Sequence, residues 1–358
     1  MKIKKIELSN YRKYVNKEVL FGPNVNIIYG NNAVGKSSIL EALHYLIMLR
    51  SPKNTSDDHV RRLGETEMMV YGEFEGKKTP KNALVLISKH YKKMSIDGVS
   101  IKKASEYIGF ADVVSFGIED VDVVSGTPMN RRKMMDIFFS QYDFRYMEKL
   151  KEYKNLMKER NAFLKNSDFT NKNNIILLNV IDEKLSRLSE KITLWRSEIV
   201  KKINEYLPEI HCRLSGEKEK CFIKYSPSWE TTRGIAQLIE SRNNDFFFKT
   251  TTLGPHRDDY VFCLNGCNLS NYGSQGQTKT AMLSFKLTCV ELLKCKKNRN
   301  PIVLLDDVFG ELDVNRHNYL LKFLDNDLQT IITTPSLKEL DQEMIDKAHL
   351  IYLEKEEV

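Results

Sequence analysis

The spacing of apolar residues changes twice along this chain and predicts three kinds of structure. Residues 1–110 read as strands and turns around one helix. Ile6 and Leu8 alternate as in a strand, Val25-Asn26-Ile27-Ile28-Tyr29 is a compact apolar run, and Ile39 to Met48 has helical periodicity. Met68 to Phe74 and Ala83 to Tyr91 are further strand candidates. Asp97-Gly98 predicts a tight hairpin between Met94-Ser95-Ile96 and Val99-Ser100-Ile101. Near Arg131 the period lengthens. Met135, Phe138, Tyr142, Tyr146, Leu150, Tyr153, Met157 and Leu164 predict one helix from Arg131 to Lys165, followed by a polar break from Asn166 to Asn174. Leu178, Ile181, Leu185, Leu188, Ile192, Trp195 and Ile199 then alternate in steps of three and four, a heptad-like seam suited to an antiparallel helix pair. The aromatics of the first helix stand at core spacing, which favours the seam over a base-stacking surface. After Pro208 mixed structure is expected again. Ile302-Val303-Leu304-Leu305 is continuous apolar sequence, as in a buried parallel strand. This run and Val25–Tyr29 are expected to be neighbouring strands of one sheet, with the helical region inserted between them. A long insertion is tolerated because loop-closure entropy grows slowly with length.

The chain has 358 residues, which favours one large or two intimate domains, and its hydrophobic content of 41% supports a packed core. No run approaches the roughly 18 apolar residues of a membrane-spanning helix. Met1-Lys2-Ile3-Lys4-Lys5 lacks the apolar core of a signal peptide. Six scattered cysteines, with no CxxC pair, fit reduced thiols rather than disulfides or a zinc site, so a cytoplasmic location is expected. The net charge is +7, and residues 131–220 hold 20 Lys/Arg against 14 Asp/Glu. That excess suits either a nucleic-acid footprint or a solvated helical surface rich in i,i+4 pairs, and charge alone leaves both open.

Candidate chemistry concentrates in three places. Gly30-Asn31-Asn32-Ala33-Val34-Gly35-Lys36-Ser37 matches G-x-x-x-x-G-K-[ST] with strand before and helix after. In such a loop, running on to Ser38, backbone N–H groups wrap a β-phosphate at a helix N-terminus, where the helix dipole favours negative charge. Lys36 is expected to reach the β- and γ-phosphates and Ser37 to ligate Mg²⁺. Asp306 ends the later apolar run and is expected to hold Mg²⁺, directly or through water. Asp307 is expected to face the γ-phosphate and polarise the attacking water. Between the two motifs, Ser274-Gln275-Gly276-Gln277 opens a helix expected from Gln277 to Leu293. Its N–H groups and the Ser274 hydroxyl form an anion site, or an ordinary N-cap.

These motifs, in this order and over essentially the full length, resemble the RecF recombination and repair proteins, relatives of the SMC and ABC-type ATPases. The resemblance also rests on Asn10-Tyr11-Arg12-Lys13-Tyr14, Leu40-Glu41-Ala42, Phe116-Gly117-Ile118-Glu119-Asp120, Gly126-Thr127-Pro128, Arg131-Arg132 and Leu253-Gly254-Pro255-His256-Arg257-Asp258-Asp259. It continues through Asp306-Asp307-Val308-Phe309-Gly310-Glu311-Leu312-Asp313. Gly310, Ile118 and Lys53 depart from the family's usual Ser, Pro and Arg, and Lys53 cannot supply a guanidinium's bidentate fork. Thr333-Thr334 stands where classical transporters carry a switch His.

The resemblance implies an α/β ABC/SMC-like P-loop head with mixed sheets and an inserted α-helical arm. Residues 1–110 and 255–358 would form the head and 111–254 the arm. It further implies that Ser274, Gly276 and Gln277 contact the γ-phosphate held by a second subunit, and that Asp313 couples the two sites. ATP would then join a two-fold homodimer around duplex DNA near single-strand gaps. Slow, DNA-stimulated hydrolysis would release it, with RecR and RecO as partners helping RecA to load. The alternative is an ABC-type ATPase acting on a small molecule or membrane partner. The missing switch His, the lack of a membrane segment and the helical insertion oppose it. A short-armed SMC-like bridge is disfavoured because each helix, at about 30 residues, spans only roughly 45 Å. His256 and Arg257 are expected to brace a loop rather than catalyse. Arg131 and Arg132 either touch DNA or start the arm helix.

Overall fold

The computed structural model describes residues 1–53, 56–76, 79–168, 171–216, 219–297, 300–312, 314–324 and 327–354. The chain forms two compact units: Met1–Val121 with Ile210–Lys218 and Met282–Val358, and Asp122–Glu209 with Glu219–Ala281. These boundaries differ from the expected 110/111 and 254/255. Residues 255–281 lie in the second unit, where the strand at Asp259–Leu264 pairs along its length with Cys221–Ser226.

The first unit contains two sheets. Strands β1 (Lys2–Tyr11), β2 (Tyr14–Leu20), β4 (Glu67–Glu75), β5 (Lys81–Ser88), β6 (Lys92–Ile96) and β7 (Val99–Ile101) form an antiparallel sheet in the order β2-β1-β4-β5-β6-β7. The Asp97-Gly98 turn joins β6 to β7, with Asp97 and Gly98 both at positive φ as a tight hairpin turn requires. Strands β3 (Val25–Tyr29), β8 (Val113–Gly117), β12 (Ile302–Asp306), β13 (Thr330–Thr334) and β14 (His349–Tyr352) form a parallel sheet in the order β14-β3-β13-β12-β8. Thus β3 and β12 share a sheet but are not neighbours, because β13 pairs with both. Ile302 to Leu305 are all buried, as the continuous apolar run predicts. Helix α1 (Lys36–Met48) contacts strands of both sheets and is buried on nearly every side from Ile39 to Met48. Helical periodicity identifies the element, whereas burial between two layers explains why its outward positions are also apolar.

The second unit is mainly helical: α2 (Pro128–Tyr142), α3 (Phe144–Asn166), most of α4 (Lys172–Ser215), α5 (Ala236–Phe248) and the first turns of α6 (Gln275–Lys297). A small sheet of β9 (Cys221–Ser226), β10 (Asp259–Leu264) and β11 (Cys267–Asn268) completes it. The single helix expected from Arg131 to Lys165 is two. Asp143 leaves the helical region (φ −143°, ψ 113°), and its carboxylate accepts the Arg145 N–H, capping α3. Helices α3 and α4 run antiparallel, since Tyr146 meets Arg196 while Arg160 meets Asp182. The heptad-like seam is buried at Leu178, Leu185, Leu188, Ile192 and Ile199. Helix α4 continues past Pro208 to Ser215, with Leu207, Ile210 and Leu214 buried at helical spacing across the proline. Among the described residues no helix is long and apolar enough to cross a membrane.

Candidate nucleotide-binding site

The phosphate loop is shaped by what its glycines must avoid. Gly30 (φ 149°) lies so close to the Leu353 carbonyl that a Cβ would collide with it. A Cβ on Gly35 (φ 97°) would stand 2.5 Å from both Lys13 Cε and Tyr14 Oη. Both glycines are therefore required by conformation and by space. Ala33 is also in the left-handed region, at φ 64°. The Tyr14 hydroxyl donates to the Val34 carbonyl at 3.3 Å, and Lys13 Nζ to the Ala33 carbonyl at the same distance. Lys36 is buried and donates to the carbonyls of Gly30 (2.7 Å) and Asn31 (2.9 Å), so its ammonium lies inside the loop. Asn31, Asn32 and Ala33 are exposed, and Ser38 donates its N–H to Gly35 O at 3.0 Å in the first turn of α1.

The start of α1 and the end of β12, far apart in sequence, meet at one carboxylate oxygen. Ser37 Oγ donates to Asp306 Oδ1 at 2.8 Å, and Thr333 Oγ1 donates to the same oxygen at 2.7 Å. The Thr333 hydroxyl in turn accepts the Asp307 N–H at 3.0 Å, and Asp307 turns away from the strand at φ 56°. Ser37 and Asp306 are hard oxygen donors of the type Mg²⁺ takes alongside water and phosphate, and the pair fits that ion. Among the described residues no group of three or more His, Cys, Asp or Glu gathers as a separate metal centre. Thr333 was noted in the sequence only for the His it replaces. Its direct bond to Asp306 depends on β13 lying beside β12, and no local signal in the strand Thr-Ile-Ile-Thr-Thr singles it out.

Other family motifs brace the site. Arg12, at φ 54°, forks onto Glu41 of α1 (Nε–Oε2 2.7 Å, Nη2–Oε1 2.6 Å) and donates Nη1 to the His59 carbonyl at 2.8 Å. Hydrogen bonding to Glu41 raises the Arg12 pKa, holding the guanidinium charged. Lys53 Nζ donates to Glu119 at 2.9 Å. Lys286 Nζ donates to the Ser115 carbonyl (2.8 Å) and Asp120 (3.1 Å), and Asp120 also accepts the Gly117 N–H at 3.0 Å, which anchors the Phe116–Asp120 segment after β8.

In the second unit, Ser274 and Gln277 form a reciprocal capping box at the start of α6. Gln277 N–H donates to Ser274 Oγ at 3.2 Å, and Ser274 N–H to Gln277 Oε1 at 3.0 Å. A Cβ on Gly276 would meet only Ser274 Oγ, at 3.9 Å, so the chain's own packing does not demand a glycine there. Asp313 lies outside the described residues. The Gly254–Asp259 motif is structural. Buried Asp258 accepts from Arg196 Nη1 (2.7 Å), Tyr225 Oη and the Ser228 N–H (2.7 Å), while Arg131 forks onto Asp259 at 2.8 and 2.9 Å. Arg131 is thus a buried brace, and Arg132 donates to the Asp258 carbonyl at 2.6 Å. His256 bonds through Nδ1 to Tyr153 Oη (2.6 Å) and through Nε2 to the Thr251 carbonyl (2.9 Å). Burial lowers its pKa to about 4, so it is neutral at pH 7 and braces the loop. Arg257 is exposed.

A protein-family model described as an AAA domain matches residues 5–211. A curated DNA replication and repair protein RecF from Ligilactobacillus salivarius is 34% identical over 364 residues, covering 99% of this chain and 96% of that protein. The chain belongs to the RecF family. A RecF from Agathobacter rectalis is 39% identical over 345 residues, covering 95% of this chain and 93% of that protein. Among solved structures, the recombination mediator protein RecF-ATP of the RecFOR pathway superposes with a TM-score of 0.88 at 31% identity, over 95% of this chain and 93% of that one. An Smc head bound to the C-terminal winged-helix domain of ScpA shares the fold, with a TM-score of 0.54 at 12% identity over 94% and 90% of the two chains. The fold is therefore an ABC/SMC-like P-loop head of mixed α/β structure with a helical arm.

Proposed function

We propose that this chain is an ATP-dependent DNA-binding protein of replication and recombinational repair, acting in a RecFOR-type pathway, in which nucleotide controls assembly. The observation that carries the nucleotide role is the convergence of Ser37, Asp306 and Thr333 beside a loop whose conformation and packing require its two glycines. In this reading the loop from Gly30 to Ser38 holds the triphosphate. Lys36 exchanges its two carbonyl partners for phosphate oxygens. Ser37 and Asp306 hold Mg²⁺, which when bound neutralises charge on the phosphates. Thr333 fixes the Asp306 carboxylate and the Asp307 backbone together, so Asp307 is positioned to orient the attacking water while Asp306 stays on the metal side.

Assembly follows from Ser274, Gly276 and Gln277. Their open helix start, where a glycine is not required internally, suits the γ-phosphate of a second copy, with Asp313 coupling the two sites. ATP then closes a homodimer on duplex DNA near gaps, weak DNA-stimulated hydrolysis reopens it, and RecR and RecO are the protein partners that help load recombinase.

Solution mass by light scattering tests this directly, with ATP, ADP or a non-hydrolysable analogue, and with or without gapped duplex. The expected result is a monomer with ADP and a DNA-retaining dimer with the analogue. Lys36→Met is expected to abolish the dimer. A dimer formed normally by that variant would sink the mechanism, and ATPase activity stimulated by membranes but not DNA would favour a non-DNA partner.

A further inference from the structure

Strand register collects several scattered basic residues at one end of the six-stranded sheet. Ser9 of β1 opposes Met69 of β4, Glu67 of β4 opposes Ser88 of β5, Ile87 of β5 opposes Lys92 of β6, and Met94 of β6 opposes Ile101 of β7. The β1–β2 turn, the entry to β4, the β5–β6 turn and the exit from β7 therefore share one end. Those segments carry Lys13, Arg62, Lys89, Lys93, Lys102 and Lys103, all exposed except half-buried Arg62.

The carboxylates at this end are engaged locally. Asp58 pairs with Arg61, Asp57 with Lys92 at 3.3 Å, and Glu67 accepts the Tyr91 hydroxyl. Glu65 accepts from Asn10 Nδ2 at 3.4 Å. Lys103 has a loose, exposed pair with Glu106 at 3.6 Å. Arg62, Lys89, Lys93 and Lys102 have no carboxylate partner among the described residues. The opposite end is mixed in charge, with Glu73, Glu75 and Asp97 beside Lys2, Lys4 and Lys81, and Lys4 paired with Glu75 at 3.6 Å.

The helical unit, despite its basic composition, spends much of that charge internally. Arg131, Arg160, Arg196 and Arg242 are held by Asp259, Asp182, Asp245, Asp258 and Asp136. Many surface lysines and arginines there sit in local pairs, such as Lys149–Glu152, Arg187–Glu183 and Lys202–Glu198.

We propose that the basic end of the six-stranded sheet, from Lys13 to Lys103, is the surface that follows the sugar-phosphate backbone of duplex DNA. The proposal rests on the DNA-binding reading above and assigns its surface. A row of ammonium groups on successive turns suits a line of phosphates, which demands charge without sequence readout. Lys13 joins this row to the nucleotide site. Its Nζ donates to the Ala33 carbonyl at 3.3 Å and its stem covers Gly35, so phosphate bound at the rim acts on a side chain touching the phosphate loop. Stimulation of hydrolysis by DNA is the expected consequence.

The test uses the full chain with a non-hydrolysable ATP analogue and a fluorescent duplex over a series of salt concentrations. Wild type is compared with Lys89→Glu/Lys93→Glu/Lys102→Glu and with an opposite-end control, Lys4→Glu/Lys81→Glu. None of these residues touches the nucleotide loop. The triple variant is expected to lose about 100-fold in affinity at low salt, and its log–log salt slope to shrink by about 3, near one for each phosphate contact removed. The analogue-driven dimer should persist and the control should bind as wild type. Unchanged affinity and slope in the triple variant overturn the assignment, as does an equal loss in the control. Retained DNA binding with loss of a protein partner would make the rim a protein-docking surface and overturn it too. Wild type that binds no DNA in any nucleotide state overturns the underlying reading instead.

Discussion

The two units use buried polar groups in opposite ways. In the first, they converge on atoms that a ligand can claim: Ser37 and Thr333 share one oxygen of Asp306, and Lys36 rests on loop carbonyls. In the second they close on one another. Arg196 bonds Asp136, Asp258, the Tyr146 hydroxyl and the Pro255 carbonyl, while Arg160 bonds Asp182, Asp245 and Thr251. A charged cluster rich in Asp, Arg and His is therefore not by itself a site. The Pro255–Asp259 segment has the composition of a catalytic motif, yet most of its polar groups, Arg257 apart, are bonded within its own unit.

This contrast is broken most sharply by Arg196→Ala. The substitution leaves Asp258 and Asp136 buried without their cation and is expected to cost about 3–5 kcal/mol. Urea unfolding monitored at Trp195 and Trp229 would measure it, and a loss below about 1 kcal/mol would mean the network is not closed as described.

Acid should weaken both units through one histidine each. Burial lowers His44 and His256 to about 4, against an unfolded value near 6.5. Between those values the unfolded chain binds more protons, so these histidines add stability above about pH 6.5 and lose it as pH falls toward 4. The loss approaches about 3 kcal/mol for buried His44 and less for half-buried His256. His256→Gln should remove its share of the slope, and unfolding free energy that stays flat across that window in wild type would contradict the assignment.

The smallest expected effect on stability is that of Ser37→Ala, roughly 1 kcal/mol or less for one hydrogen bond. Its effect on Mg²⁺-dependent nucleotide binding should be far larger. If calorimetry shows magnesium-dependent ATP affinity unchanged, the open group in the first unit is not a metal site.

Several features were legible before any tertiary contact. The phosphate loop, the β12 run ending in Asp306, the Asp97-Gly98 hairpin and the α4 seam are local patterns of period, glycine and charge, and each has its expected form. The break at Asp143 was missed because helical periodicity continues through it, while the deciding event is a carboxylate capping its own chain. The position of β13 was missed because strand order depends on which apolar strands pair across hundreds of residues. With β13 goes Thr333, whose hydroxyl acquires a role only when β12 is beside it. The basic excess of residues 131–220 left two readings open for a related reason: Asp245, Asp258 and Asp259, which answer its arginines, come from later sequence. Sequence alone determined most of the elements and the form of the phosphate loop, because backbone conformation, burial period and loop glycines act over short spans. Tertiary structure decided which charges stay open to a ligand, because a carboxylate and a guanidinium cancel only where the fold brings them together.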